Sequence, residues 1–238
     1  MNDRTAIWAI VPAAGAGRRM ESDTPKQYLP LLGRPLLAHS CTALISHTAI
    51  ESLVLVVAPH DEQWRTAIDG PQNQHVIVVA GGEERCHSVF NGLDALKDRA
   101  GPDDWVLVHD AARPCLSASD LERLLNAIDG NPVGGLLGIP VRDTMKRTDA
   151  DGRVIATVDR SSLWHALTPQ VFRYGLLFDA LERVLASGDR VTDEAEAIER
   201  LGHQPLMVEG SATNLKVTRP EDLPLAEWYL RQQQGGKP

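Results

Sequence analysis

Small residues and cations stand together at Val11-Pro12-Ala13-Ala14-Gly15-Ala16-Gly17-Arg18-Arg19-Met20, and Pro25-Lys26-Gln27 follows shortly after. The apolar run before them, Ala6 to Val11, reads as a buried strand. Backbone without bulky Cβ atoms can approach an anion and turn successive N–H groups toward its oxygens. Arg18, Arg19 and Lys26 place positive charge beyond that cradle, the combination that a triphosphate needs. Neither common nucleotide fingerprint fits. Arg-Arg-Met stands where a P-loop has Gly-Lys-Ser or Gly-Lys-Thr, and Met20 stands where a dinucleotide motif has its third glycine.

Two further strand ends carry suitable groups. Val108-His109-Asp110-Ala111-Ala112-Arg113-Pro114 follows the apolar Trp105–Val108, where open α/β sheets bind their ligands. Asp110 can accept from a ribose hydroxyl or help hold Mg²⁺ near phosphates. The bland reading makes Asp110 a turn cap and Arg113 a surface partner, and His109 reads equally well as packing. Gly81-Gly82-Glu83-Glu84-Arg85, with Ser88 one turn on, opens a helix and offers N–H groups and a hydroxyl to the same crevice. Thr192-Asp193-Glu194 reads as a helix N-cap with an acidic first turn and no chemistry. Lys216, in Asn214-Leu215-Lys216-Val217-Thr218, reads by itself as a surface lysine on a short strand.

The elements that must position these groups alternate. Strand-like runs at Ile7–Val11, Leu53–Ala58, Val76–Val79, Trp105–His109 and Gly135–Ile139 are separated by helical patterns near Leu36–Ser46, Arg85–Lys97 and Ala118–Ile128. That order predicts a mainly parallel sheet covered by helices, an α/β sandwich. Between Val141 and Gln170 the chain turns polar, with β-like pieces at Thr144–Arg147 and Val154–Val158. This segment is expected to leave the sheet as an arm within one domain spanning 1–238, with Arg160 and Thr168 as contacts for a second substrate. Helices are expected at Tyr174–Ser187, Asp193–Leu201 and Pro220 to Gln232, and strands at Pro205–Glu209 and Asn214–Val217.

Composition narrows the partners. A net charge of -8 over 238 residues, with 5% aromatics, leaves no basic excess for a nucleic-acid backbone and few stacking platforms. It does not exclude a nucleotide held in a locally cationic cleft. The three cysteines, Cys41, Cys86 and Cys115, are widely spaced, so disulfide and metal readings are poor. The apolar N-terminal run is too short for a signal peptide, and no stretch reaches membrane-spanning length. A cytoplasmic setting is expected.

Taken in order along the chain, these motifs resemble a known family. Pro12-Ala13-Ala14-Gly15-Ala16-Gly17-Arg18-Arg19-Met20 with Pro25-Lys26-Gln27 is similar to the signature of nucleotidyltransferases that activate sugars and alditol phosphates. His109-Asp110-Ala111-Ala112-Arg113-Pro114, Arg142-Asp143-Thr144, Val158-Asp159-Arg160, Thr168-Pro169-Gln170 and Asn214-Leu215-Lys216-Val217-Thr218 narrow it. The whole set resembles the 2-C-methyl-D-erythritol 4-phosphate cytidylyltransferase family of the non-mevalonate isoprenoid pathway.

The resemblance implies a Rossmann-like three-layer sandwich with a protruding β-arm, residues 141–170, that builds a homodimer. It implies CTP as co-substrate over Ala13, Ala14, Gly15 and Gly17, with cytosine and ribose near Gly82, Ser88, Asp110 and Ala111. The alditol phosphate would lie near Arg113, Thr144, Thr168 and Lys216, with Arg160 reaching in from the partner subunit. Arg19, Lys26, Arg160 and Lys216 would be the catalytic cations, and Mg²⁺ or another divalent cation would ride on the triphosphate beside Asp110. A ribitol 5-phosphate cytidylyltransferase is the nearest alternative, since it shares the fold and the CTP site. A non-catalytic CTP sensor would have lost a phosphate-facing cation, yet Arg19, Lys26 and Lys216 are all present.

Overall fold

Successive side chains of a strand point to opposite faces, and both faces of the first strand, β1 (Ile7–Pro12), are apolar. Ala9 and Val11 enter one core cluster, while Trp8 and Ile10 enter another. A sheet buried on both sides needs a cover on each, and the chain supplies two layers of helices. This computed structural model describes residues 5–15, 24–68 and 75–235. Gly17, Arg18 and Arg19 lie outside the described residues.

After β1 come a 3-10 turn (Lys26–Tyr28), a short hairpin of β2 (Pro30–Leu31) and β3 (Arg34–Pro35), and α1 (Leu36–Ile45). β4 (Ile50–Val57), the short α2 (Trp64–Ala67), β5 (Val76–Ala80), α3 (Arg85–Asp94) and β6 (Trp105–Val108) follow. Then come α4 (Ala118–Ala127), β7 (Gly134–Pro140) and the hairpin of β8 (Met145–Thr148) with β9 (Val154–Val158). β10 (Trp164–Arg173), α5 (Tyr174–Ala186), α6 (Glu194–Arg200), β11 (Leu206–Glu209) and α7 (Asp222–Gln233) complete the order.

The seven-stranded sheet runs β11-β7-β10-β6-β1-β4-β5. Its neighbours are parallel except at β10, which is antiparallel to both β6 and β7. Leu37, Cys41 and Leu44 of α1 and Leu121 and Leu124 of α4 cover one face. Val89 and Leu93 of α3, Leu177 and Leu181 of α5 and Ile198 of α6 cover the other. Cys41, Cys86 and Cys115 are buried and free. A third cluster seats α7 through Ala226 and Leu230 against Leu31, Ala112 and Val217.

Two expectations are corrected. The segment from Trp164 to Gln170 is not arm but the first part of β10, where Gln170 pairs with Val108 and Leu136. Its polar residues misled because Thr168 and Gln170 are buried with their hydrogen bonds satisfied by neighbours. Asn214–Val217 is not a strand either. One backbone bond, from the Val217 N–H to the Ala112 carbonyl at 2.8 Å, fixes it to the turn after β6. What leaves the sheet is the β8–β9 hairpin, a separate two-stranded ladder with Val154 and Ile155 exposed.

Phe172 of β10 is fully buried in the helix-covered face that includes Leu177 and Leu181. Phe172→Ala is expected to cost about 3–5 kcal/mol, through lost transfer energy and the cavity left behind. Urea titration checks this as a lower midpoint with an unchanged slope.

Candidate active site

The loop after β1 is drawn to the sheet by hydrogen bonds at both ends of the Ala13 peptide unit. The Ala13 N–H donates to the Val56 carbonyl at 2.7 Å, and the buried Gln27 amide donates to the Ala13 carbonyl at 2.8 Å. That second bond brings Pro25-Lys26-Gln27 back onto the small-residue loop and sets Lys26 on the wall of a cavity of about 290 Å³. Gly82 lines the cavity, and Gly81 before it packs against Ala14. A Cβ on Gly81 would collide with the Cβ of Ala14 and stand 2.9 Å from the Ser88 hydroxyl, so glycine is required for this approach. Ser88 accepts from the Gly82 N–H at 3.2 Å and donates to the Glu84 carbonyl at 3.2 Å, which shapes the start of α3.

Ala13, Ala14, Gly15, Lys26, Gly82 and Ser88 all line this cavity. So do Asp110, Ala111 and Lys216. A second, smaller cavity of about 150 Å³ holds Arg113 and Thr168. Arg85, Asp110 and Lys216 line both and form the wall between them. Thr144 and Arg160 are exposed beside the hairpin and line neither cavity of this chain.

Asp110 is the centre of that wall and is 7% exposed. Its carboxylate meets Arg85 Nε at 3.2 Å, Lys216 Nζ at 2.8 Å and Arg113 Nε at 3.6 Å. Burial works against its charge, yet Arg85 and Lys216 outweigh it and hold the carboxyl well below the usual carboxylate range. Lys216, read from sequence as an isolated lysine, is therefore half-buried and part of a charge cluster around the buried Asp110.

Thr168 lines the smaller cavity, and its hydroxyl is also held by the turn after β6. It accepts from the Asp110 N–H at 3.0 Å and donates to His109 Nδ1 at 3.0 Å. His109, fully buried, donates in turn from Nε2 to the Arg113 carbonyl at 3.0 Å; the carbonyl can only accept, which assigns this tautomer. Asn214 adds a bond to the Thr168 carbonyl at 2.8 Å, and Arg113 donates to the Asn214 carbonyl at 2.8 Å. These bonds close the turn around Asp110. The β10 register shifts between Ala166 and Gln170, which lets Thr168 reach that turn.

Sequence reasoning missed Arg85 and Glu194. Glu194, 1% exposed, takes the Arg85 guanidinium in a fork at 2.6 and 3.0 Å. Asp193 caps α6 as expected, and Gln170 ties that helix to β10 through Asp193 and the Ala195 N–H. One signal was available. Arg85 is the first residue of α3, where the helix dipole disfavours a cation, so an arginine there calls for another partner.

Among the described residues, no group of three or more His, Cys, Asp or Glu side chains could hold a metal. Asp110 offers one carboxylate among cations. Both of its oxygens already meet cations, so this donor set does not fit an all-protein cage, and a divalent cation here would be held by polyphosphate oxygens. Among the described residues, no helix is long and apolar enough to cross a membrane.

Burial pushes His109 down to about 4, against about 6.5 in an unfolded chain. The unfolded state then binds more protons between these values, so the contribution is complete above about pH 6.5 and is lost as pH falls toward 4. The expected loss is about 3 kcal/mol. His109→Gln is expected to flatten this part of the stability profile, and parallel urea-derived profiles for the two proteins would contradict it.

The chain is similar to known proteins over nearly its whole length. The family model described as 2-C-methyl-D-erythritol 4-phosphate cytidylyltransferase matches residues 7–232. The protein of that name from Pseudomonas putida is 52% identical over 233 residues, covering 98% of this chain and 97% of its own. One from Hahella chejuensis is 49% identical over 225 residues, covering 94% and 93%. A crystal structure of a 4-diphosphocytidyl-2C-methyl-D-erythritol synthase superposes with a TM-score of 0.82 at 38% identity, covering 95% of this chain and 99% of that one. The Thermus thermophilus cytidylyltransferase structure gives 0.75 at 30% identity, covering 95% and 98%. With the match running through every strand of the sheet, this chain belongs to the 2-C-methyl-D-erythritol 4-phosphate cytidylyltransferase family.

Proposed function

We propose that this protein transfers CMP from CTP to 2-C-methyl-D-erythritol 4-phosphate, giving 4-diphosphocytidyl-2-C-methyl-D-erythritol and pyrophosphate. The observation that carries this reading is the pair of cavities meeting at a wall of Arg85, Asp110 and Lys216. CTP occupies the larger one, its triphosphate over Ala13, Ala14 and Gly15 and the Gly17 that follows. Its cytosine and ribose lie near Gly82, Ser88, Asp110 and Ala111, with Asp110 accepting from a ribose hydroxyl. The alditol phosphate occupies the smaller cavity beside Arg113 and Lys216.

The acceptor phosphate oxygen attacks the α-phosphorus in line, and pyrophosphate leaves. A phosphate is already ionised at neutral pH, so no general base is needed. Charge gathers on the non-bridging oxygens and the leaving group, where fixed cations lower the barrier. Lys26 and Arg19 serve there. Lys216 leaves Asp110 for the incoming phosphate. A divalent cation held mainly by the triphosphate would neutralise charge on the phosphate oxygens.

Thr144 and Arg160 reach a site only from another copy. The exposed Val154 and Ile155 of the β8–β9 hairpin favour a homodimer in which Arg160 of the partner subunit completes each acceptor pocket. A cytoplasmic location goes with substrates of this kind.

Pyrophosphate release from CTP, with methylerythritol phosphate and ribitol 5-phosphate offered separately, tests the assignment. Release with the first acceptor alone is expected; release with ribitol phosphate alone would overturn it. Lys26→Ala and Arg19→Ala are each expected to lower kcat at least about a hundredfold, as loss of a transition-state charge should. Mixing and re-equilibrating inactive Lys26→Ala and Arg160→Ala dimers is expected to restore about a quarter of wild-type turnover. Half the dimers are then mixed, and each carries one intact site.

A further inference from the structure

The nucleotide wall contains one cation that differs from the others in how it is held. Lys216 and Arg113 each face the acceptor cavity, where an incoming phosphate competes for them. Arg85 also lines that wall, yet it is pinned from behind. Its Nε donates to Asp110 at 3.2 Å, while its two terminal nitrogens grip the buried Glu194 at 2.6 and 3.0 Å. Glu194 itself is fixed because the first turn of α6 is tied to β10: Gln170 accepts from the Ala195 N–H at 2.8 Å and donates to Asp193 at 2.9 Å.

We propose that Arg85, anchored by Glu194, is a positioning residue that holds the Asp110 carboxylate toward the ribose of CTP and so sets the preference for a ribonucleotide. The fork matters because a guanidinium can serve two carboxylates at once in a fixed plane, whereas an ammonium is a single point of charge. When the acceptor phosphate draws Lys216 away, Arg85 at 3.2 Å remains on Asp110, with Arg113 farther off at 3.6 Å. Glu194 offsets its charge and keeps it from swinging onto the triphosphate. Glu194 is buried while Arg85 keeps 28% of its side chain exposed toward the cavities, so the carboxylate holds from behind a guanidinium whose other edge faces the site.

This inference rests on Asp110 meeting the ribose, and the experiment separates the two. The ratio of kcat/KM for CTP over dCTP is measured with methylerythritol phosphate in the wild type and in Asp110→Asn. It is measured also in Arg85→Gln/Glu194→Gln, which removes both charges together and leaves no orphan ion, and in the triple variant. Wild-type enzyme is expected to prefer CTP at least about tenfold, as a hydrogen bond to a charged acceptor should give. The Arg85→Gln/Glu194→Gln enzyme is expected to lose most of that preference, with less than about a twofold further change once Asp110→Asn is present. Arg85→Lys, which keeps the charge but not the fork, is the second variant and is expected to show the same loss.

A folded Arg85→Gln/Glu194→Gln or Arg85→Lys enzyme that keeps the wild-type preference overturns the inference, as does an effect that simply adds to that of Asp110→Asn. If Asp110→Asn itself keeps the preference, the ribose contact falls and the inference falls with it.

Discussion

A carboxylate taken out of water is costly unless cations and hydrogen bonds replace its hydration, and Asp110 is such a group at the carboxyl end of a central strand. Much of the architecture around it follows from that need. α3 brings Arg85, the segment before α7 brings Lys216, and the turn after β6 brings Arg113. Each cation also needs company. Arg85 finds it in Glu194, and Arg113 in the Asn214 carbonyl. The charge cluster thereby joins elements separated by more than a hundred residues of chain.

The single antiparallel strand of the sheet serves the same end. Because β10 runs against β6, its N-terminal half extends past the carboxyl end of β6 while still pairing with the end of β7, on the side where ligands of open α/β sheets bind. Thr168 therefore arrives next to His109 and Asp110, and the hairpin that precedes β10 emerges on the ligand side. A parallel strand in that place would have put its polar residues at the opposite end. The shift in register near Thr168 costs ladder hydrogen bonds and gains the contact that shapes the Asp110 turn.

Charge distribution matters more than net charge here. The chain is acidic as a whole, at -8, yet the wall between the cavities gathers Arg85, Arg113 and Lys216 around one carboxylate. Low-dielectric surroundings strengthen the field of these groups, which lets an acidic protein attract a polyanion to one crevice. The buried, neutral His109 adds no charge; its hydrogen bonds set direction instead.

Sequence alone determined the alternation of strands and helices, the small-residue loop after β1 and the family, because periodicity, glycine placement and local motifs are properties of neighbouring residues. The strands at Ile7, Leu53, Val76, Trp105 and Gly135 were legible for that reason. Trp164–Arg173 was not, since its Thr168 and Gln170 look like loop residues until their distant partners are known. Glu194 looked like a helix-dipole acid, and Lys216 like a surface lysine, for the same reason. Only the tertiary structure could decide that Glu194 grips Arg85 109 positions away and that Lys216 meets Asp110. Pairing between buried charges depends on where the sheet order brings strand ends together, and that order leaves no local mark in the chain.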